Sequence, residues 1–365
     1  MHSQSDLIFH DAVIDTLPIY TVSESAKLGY RDKDTWMKLD WNESPRNASA
    51  KVAQALIAFL DEHSLAYYPD VTSRELVEAI SERFGVPGSA ISIFNGSDSA
   101  LQHIFYTFLS GSSVFTTSQP TYTQILQFVS FKQPTIRFYL PEDIFDDDLC
   151  IFEREYISSA DVVYIINPNN PTGRLLEKDY LLGLARAYPA TLFVIDEAYM
   201  EFASNNESLI PFVESQKNLI VTRTFSKAYG LAGIRLGFAV SHPENIGLIH
   251  RVKNNKDVNT LAQIAGEAAI RDREYLDAHV KEILRVKKWF VDNVPSQFPV
   301  IDTEANFVLL NYEFESGLID RLKSEKIFVR DRADQHGLKN YLRITIGTDE
   351  QMRSVVEALS VSSQL

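Results

Sequence analysis

Cysteine is nearly missing from this chain. Cys150 is the only one in 365 residues, so no internal disulfide can brace the fold, and the thiol reads as a small core or surface side chain. Histidine gives no metal signal either. The eight residues are scattered, no Cys/His cluster has metal-site spacing, and H-E-x-x-H does not occur. No apolar run approaches the roughly 20 residues that a bilayer span requires. The opening residues, Met1 to Asp6, lack the basic and apolar regions of a signal peptide. The expected compartment is therefore the cytoplasm, with no membrane partner. Positive charge is also short: 35 Lys and Arg against 49 Asp and Glu leave a net charge of −14. That argues against nucleic acid as the main partner, because phosphate-backbone binding needs clustered cations. A local cationic pocket for a small anion stays open.

What is present suits an ordinary soluble globular protein. Hydrophobic residues make up 45% and charged residues 23%, and the length suits two domains around substantial cores. Residues 1–40 read as an arm and lead-in, broken by Pro18 and Gly29. Helices are expected at 51–60 and 73–84, the second with Leu76, Val77 and Ile80 on one face. From residue 91 strands and helices alternate. Strands are expected at 91–94, 112–117, 162–166, 192–195, 218–221 and 236–240, with helices at 99–109, about 121–131 and 177–187. The continuous apolar run at 162–166 is of the buried parallel type. This rhythm predicts an α/β fold with an open sheet covered on both faces. Beyond residue 255 the texture changes: a long helical stretch over 259–293, then short strands at 307–310, 327–329 and 341–346. The division expected is an arm over 1–40, a large domain over 41–255 and a smaller α+β domain over 256–365. No repeat, low-complexity tract or flexible linker interrupts it.

In open α/β sheets, ligands sit beyond the carboxyl ends of the strands. Four strands deliver polar groups there. Gly96, Ser97 and Asp98 follow the first, opening a helix whose free N–H groups suit an anion, or serving as a plain N-cap. Asn170 lies in the turn 167–173, whose Asn, Pro and Gly residues also make a tight turn on their own account. Asp196 ends a buried strand, where a carboxylate needs a cation, either a protonated ring nitrogen or a basic side chain. Thr222, Thr224 and Ser226 precede Lys227, and a glycine-punctuated stretch leads on to Arg235. Alone, Lys227 reads as a solvated surface charge. Beside hydroxyls, flexible backbone and a guanidinium it suits a Schiff-base lysine next to a cofactor phosphate.

Read together, residues 167–173, 196–199 and 226–235 resemble the class II aminotransferases of fold type I, and within them the histidinol-phosphate aminotransferase family most. Residues 39–45, 68–70, 96–98, 120–122, 305–307 and 342–347 match as well, in order, from about residue 18 to the end. The resemblance implies a large domain with a mostly parallel seven-stranded sheet plus the smaller domain, and pyridoxal 5′-phosphate as cofactor. Lys227 would carry the cofactor as a Schiff base and then shuttle the substrate proton. Asp196 would keep the pyridine nitrogen protonated. Tyr199 and Asn170 would bond the ring hydroxyl, and Tyr122 would stack on the ring. Gly96, Ser97, Asp98, Thr224, Ser226 and Arg235 would surround the cofactor phosphate. Tyr68 would reach the phosphate of a neighbouring subunit, which makes a homodimer the expected active unit. Arg343 would grip a substrate carboxylate through its planar fork. Asn42 and Asn170 would line the substrate, with Tyr20 and Arg330 toward a substrate phosphate.

The implied reaction moves an amino group between a small-molecule donor and acceptor, with histidinol phosphate and 2-oxoglutarate the default pair. Two departures bear on it. Ser99 stands where the family often has an acidic residue, and residues 254–257 (Asn-Asn-Lys-Asp) stand where it usually has proline and an apolar or aromatic residue. A polar segment there suits a more hydrophilic amine, or simply faces solvent. The alternatives are transamination of a serinol-phosphate-like amine and decarboxylation of a threonine-phosphate-like amino acid. A ligand-sensing regulator on the same fold would need a DNA-binding segment, for which the chain shows no spare length and no basic helix.

Overall fold

The computed structural model describes residues 24–29, 35–141, 143–145, 154–205, 207–315 and 317–361. Tyr20 and Cys150 therefore lie outside the described residues. The chain enters through a short strand, β1 (Met37–Lys38), followed by helices α1 (Ala50–Glu62) and α2 (Arg74–Phe84). Ser49 caps α1 by accepting from the Lys51 N–H. The central region then runs β2 (Ile91–Phe94), α3 (Ser97–Phe108), β3 (Val114–Ser118), α4 (Ile125–Ser130), β4 (Thr135–Tyr139), α5 (Arg154–Ser158), β5 (Val162–Ile166), α6 (Lys178–Ala187), β6 (Leu192–Asp196), β7 (Leu219–Thr224), β8 (Gly237–Ser241) and α7 (Pro243–Ile249).

These strands form one seven-stranded sheet in the order β2-β8-β7-β6-β5-β3-β4. All neighbouring pairs from β7 to β4 are parallel, and β8 runs antiparallel between β2 and β7. Every residue of β5 and β7 is buried, as expected when helices cover both faces. The period of two divides the core between the faces. Val163, Ile165, Phe193, Ile195 and Val221 point into one cluster with Leu76, Leu181 and Leu182. Val162, Tyr164, Ile166, Val194 and Ile220 point into another with Leu101, Ile104 and Ile125.

The chain continues through α8 (Thr260–Arg271) and α9 (Arg273–Asn293) into β9 (Val300–Ile301), β10 (Phe307–Asn311), α10 (Leu318–Ser324), β11 (Ile327–Phe328), β12 (Arg330–Asp331), β13 (Tyr341–Thr345) and α11 (Asp349–Ser360). A second sheet, β12-β13-β10-β9, is antiparallel throughout. β1 pairs in parallel with β11, and the Thr345 N–H donates to the Leu39 carbonyl at 2.9 Å. Residues 37–42 are thereby laid along the C-terminal sheet, which brings Asp40, Trp41 and Asn42 to the edge of the large one. Among the described residues no helix is long and apolar enough to cross a membrane.

Several elements, among them β1, α5, α7, β9 and β12, were not expected from sequence, and two further differences have a clear cause. The helical stretch 259–293 is two helices broken at Asp272, whose carboxylate is held by Ser49 Oγ and, at 2.7 Å, by Lys51 Nζ. β4 was not expected. It is an edge strand with mixed burial, so its sequence lacks the apolar run that marks the central strands.

Candidate active site

β5, β6 and β7 are parallel and in register, with Ile166 opposite Asp196 and Asp196 opposite Thr222. Their carboxyl ends therefore coincide. β2 reaches the same edge, because two antiparallel steps through β8 restore its direction. The four polar segments named from sequence are thus gathered at one rim.

Asp196 is 4% exposed. Its Oδ2 accepts from the Tyr164 hydroxyl and its Oδ1 from Thr222 Oγ1, each at 3.0 Å. Burial pushes its pKa up to about 6 against the pull of these two bonds, and the nearby charge of Asp98 adds to the rise. This carboxylate awaits a cation. Glu197, next in sequence, points to the other face. There it pairs with Arg223 at 2.8 Å, and Arg223 also pairs with Glu201 at 2.8 Å. Alternation along β6 and β7 thus separates an ion-pair cluster on one face from a hydrogen-bonded carboxylate, with no cationic partner among the described residues, on the other. Tyr164 was not singled out from sequence. Its signal was its place two residues before the end of β5, on the face Asp196 shares across the register.

Lys227 lies three residues past β7, in a loop turned by Gly230. That glycine has φ +69°, and a Cβ there would sit 3.1 Å from the Arg46 carbonyl. The Lys227 ammonium donates to the Trp41 carbonyl at 2.8 Å and lies 5.9 Å from the Tyr199 ring centroid. The residue keeps partial exposure, yet lost hydration is the largest influence on its amine. With the Arg343 charge next, it brings the pKa down to about 8. The Tyr199 hydroxyl accepts from Asn42 Nδ2 at 2.9 Å, and its ring packs edge-on against Phe307.

At the start of α3, Gly96 has φ +88°, and a Cβ on it would meet Arg235 Nη2 at 2.8 Å. Arg235 Nη2 lies 3.3 Å from Asp98 Oδ2, and its Nη1 lies 3.5 Å from Ser226 Oγ. The Tyr122 hydroxyl donates to Asp98 Oδ1 at 3.1 Å, and Thr224 Oγ1 accepts from the Ser226 N–H at 3.1 Å. Ser97, Asp98, Thr224, Ser226 and Arg235 thus form a cup of hydroxyls, helix-start N–H groups and one guanidinium, which can hold a phosphate.

The opposite wall comes from the C-terminal sheet. Asn42, at φ 54°, is clamped by Thr345, whose Oγ1 accepts from the Asn42 N–H at 3.0 Å, and by Asn306 Nδ2 donating to its carbonyl at 3.1 Å. Arg343 donates to Asn170 Oδ1 at 2.7 Å and to the Asp40 carbonyl at 2.6 Å. Arg330 stands directly opposite Arg343 across the strand pair. Tyr68 is not gathered here. Its ring is 79% exposed on the connection between α1 and α2, with Lys256 Nζ 4.5 Å over it. Residues 254–256 are themselves exposed, so the unusual segment meets Tyr68.

The chain is similar to known proteins over most of its length. Residues 34–359 match the family described as aminotransferase class I and II. A dihydroxyacetone phosphate transaminase of Campylobacter jejuni is 36% identical over 333 residues, 88% of this chain and 89% of the relative. A histidinol-phosphate aminotransferase of Geotalea daltonii is 34% identical over 337 residues, 91% of this chain and 94% of the relative. Among solved structures, the histidinol-phosphate aminotransferase of Sinorhizobium meliloti in complex with pyridoxal-5′-phosphate superposes with a TM-score of 0.85 at 25% identity, covering 98% of each chain.

Proposed function

Since the chain belongs to the class I and II aminotransferases, enzymes that depend on pyridoxal phosphate, we propose that its amine substrate carries a phosphate, with histidinol phosphate the leading candidate and 2-oxoglutarate the acceptor. The observation that carries this reading is the facing pair Arg330 and Arg343 beside Asn170. Both curated relatives, moreover, are named for phosphorylated compounds. A second reading, transamination of a serinol-phosphate-like amine, is favoured by the Campylobacter relative's name, because exchanging the carbonyl of dihydroxyacetone phosphate for an amine gives that compound. The polar residues 254–257 favour it too.

The residues fit the cofactor. A buried carboxylate with its pKa raised to about 6 suits a protonated ring nitrogen, and Gly96 leaves room for Arg235 that a side chain would take. When bound, the cofactor supplies an electron sink for negative charge at the substrate Cα. Asp196 holds the proton on the ring nitrogen, kept in place by Tyr164 and Thr222. Lys227 Nζ, with its pKa brought down from 10.5 to about 8, takes the Cα proton and returns it. Tyr199, oriented by Asn42, and Asn170, held by Arg343, bond the ring hydroxyl, and Tyr122 flanks the ring. The cup around Ser97, Asp98, Ser226 and Arg235 anchors the phosphate. Arg343 takes the carboxylate of the amino-acid donor.

We place the active unit as a homodimer in the cytoplasm, with Tyr68 completing the partner's phosphate site. Ile57, Leu60, Leu65, Tyr67 and Tyr68 are large apolar side chains left exposed along α1 and the turn after it, a patch of the kind association covers. Sedimentation that finds only monomers in the active protein would remove this part. The substrate is tested by mixing the cofactor-loaded protein with histidinol phosphate, serinol phosphate, threonine phosphate and glutamate in turn and following the visible absorption band. Discharge by a phosphorylated amine and by glutamate, without carbon dioxide release, is expected. No response to any phosphorylated amine overturns the reading.

A further inference from the structure

Arg330 and Arg343 are opposite each other on β12 and β13, so their side chains leave the same face of the sheet. Residues two apart along a strand also share a face. Arg332 follows β12 in extended pairing, its N–H donating to the Tyr341 carbonyl at 3.0 Å, and is carried to that same side. It is only 8% exposed. Its Nε is buried with no hydrogen-bond partner, and among the described residues it forms no ion pair. Burial and the repelling charges of Arg343 and Arg330 all push its pKa well down, offset in part by Asp334 and Tyr199. Arg343 is held by Asn170 and the Asp40 carbonyl; no such contact holds Arg332.

A buried cation next to two others is unfavourable unless an anion joins them. Arg343, which leaves the same face, reaches Asn170, so that anion lies on the Arg343 side of the site. We propose that Arg332 is a specificity residue which, with Arg330 and Arg343, receives the doubly charged terminal phosphate of the amine substrate and sets the preference for phosphorylated over unphosphorylated amines. This rests on the phosphorylated-amine reading above. A phosphate monoester offers up to two charges and three terminal oxygens, enough to engage more than one guanidinium fork.

The test compares holoenzymes of the wild type, Arg332→Leu and Arg332→Lys. The first readout is the ratio of kcat/KM for a phosphorylated amine (histidinol phosphate or serinol phosphate) to that for its dephosphorylated counterpart. Arg332→Leu is expected to lower this ratio by about 10- to 100-fold, the range for losing charge-assisted hydrogen bonds, and Arg332→Lys to restore part of it. The second readout is thermal unfolding with inorganic phosphate. The cofactor's own phosphate site is already filled in the holoenzyme, so a rise in Tm that appears in the wild type and vanishes in Arg332→Leu reports this cluster. A wild type that does not prefer phosphorylated amines sinks the substrate reading before any variant is made. If the wild type shows the preference, an unchanged ratio and an unchanged phosphate effect in Arg332→Leu overturn the role of Arg332. An equal loss toward glutamate does so too, because it would assign Arg332 to carboxylates in general.

Discussion

Replacing Asp196 by Asn should stabilise the cofactor-free protein while disabling the enzyme. The carboxylate is 4% exposed, and its pKa is raised from 3.8 to about 6. A carboxyl group whose pKa is higher folded than unfolded contributes stability below the unfolded value and loses it as pH rises through the folded value. A shift of about two units corresponds to roughly 3 kcal/mol, so the wild-type apoprotein should weaken by up to that amount between about pH 4 and pH 7. Asparagine has nearly the same shape, can still accept from one hydroxyl and donate to the other, and does not titrate. Urea unfolding of the two apoproteins at matched concentration should therefore show a gap in favour of the variant that opens over this pH range. Saturating cofactor should reverse the order, because only the aspartate gains a cationic partner. An apoprotein variant less stable than the wild type at pH 8, or a gap that does not change with pH, would refute the argument that desolvation governs this carboxylate.

Lys227→Ala should abolish turnover and prevent borohydride from fixing the cofactor to the chain, as read by mass spectrometry. In the cofactor-free wild type, a pKa near 8 should make Lys227 react with an amine-selective reagent at pH 8 ahead of solvated lysines. Tyr164→Phe removes one of the two hydroxyls on Asp196 and should weaken cofactor binding by about tenfold, the scale of one hydrogen bond to a charged group, measured by cofactor titration. Gly96→Ala places a Cβ at φ +88° and 2.8 Å from Arg235 Nη2. It should cost roughly 1–3 kcal/mol in a chemical melt and loosen the cofactor in the same titration.

The central strands were legible because complete burial leaves an unmistakable apolar run, as in β5 and β7, and because each is followed by residues that only a sheet-edge site explains. Lys227, Asp196 and Asn170 stood out on that ground, and the family motif around them marks membership that the comparisons bear out. Groups that act across the register were not legible. Tyr164 and Arg332 sit inside strands or at their ends, where a tyrosine reads as core and an arginine as surface. Only the pairing of β5 with β6, and of β12 with β13, turns them toward the site. The break at Asp272 was hidden for a similar reason: its partners Ser49 and Lys51 are more than two hundred residues away in sequence.

The buried charges near this cleft are arranged by sign. On the far face of β6 and β7, Arg223 is shared between Glu197 and Glu201, so each carboxylate there already faces a cation. On the near face the protein leaves its costs open. Asp196 carries a carboxyl pKa raised to about 6, Lys227 an amine depressed to about 8, and Arg330, Arg332 and Arg343 share one face of the C-terminal sheet. Close-packed hydrophobic residues would serve stability better at each of these positions. Their separation by sign therefore describes the ligand pair: a cationic ring nitrogen at Asp196 and an anionic substrate tail at the arginines, with the reacting carbon between them beside Lys227.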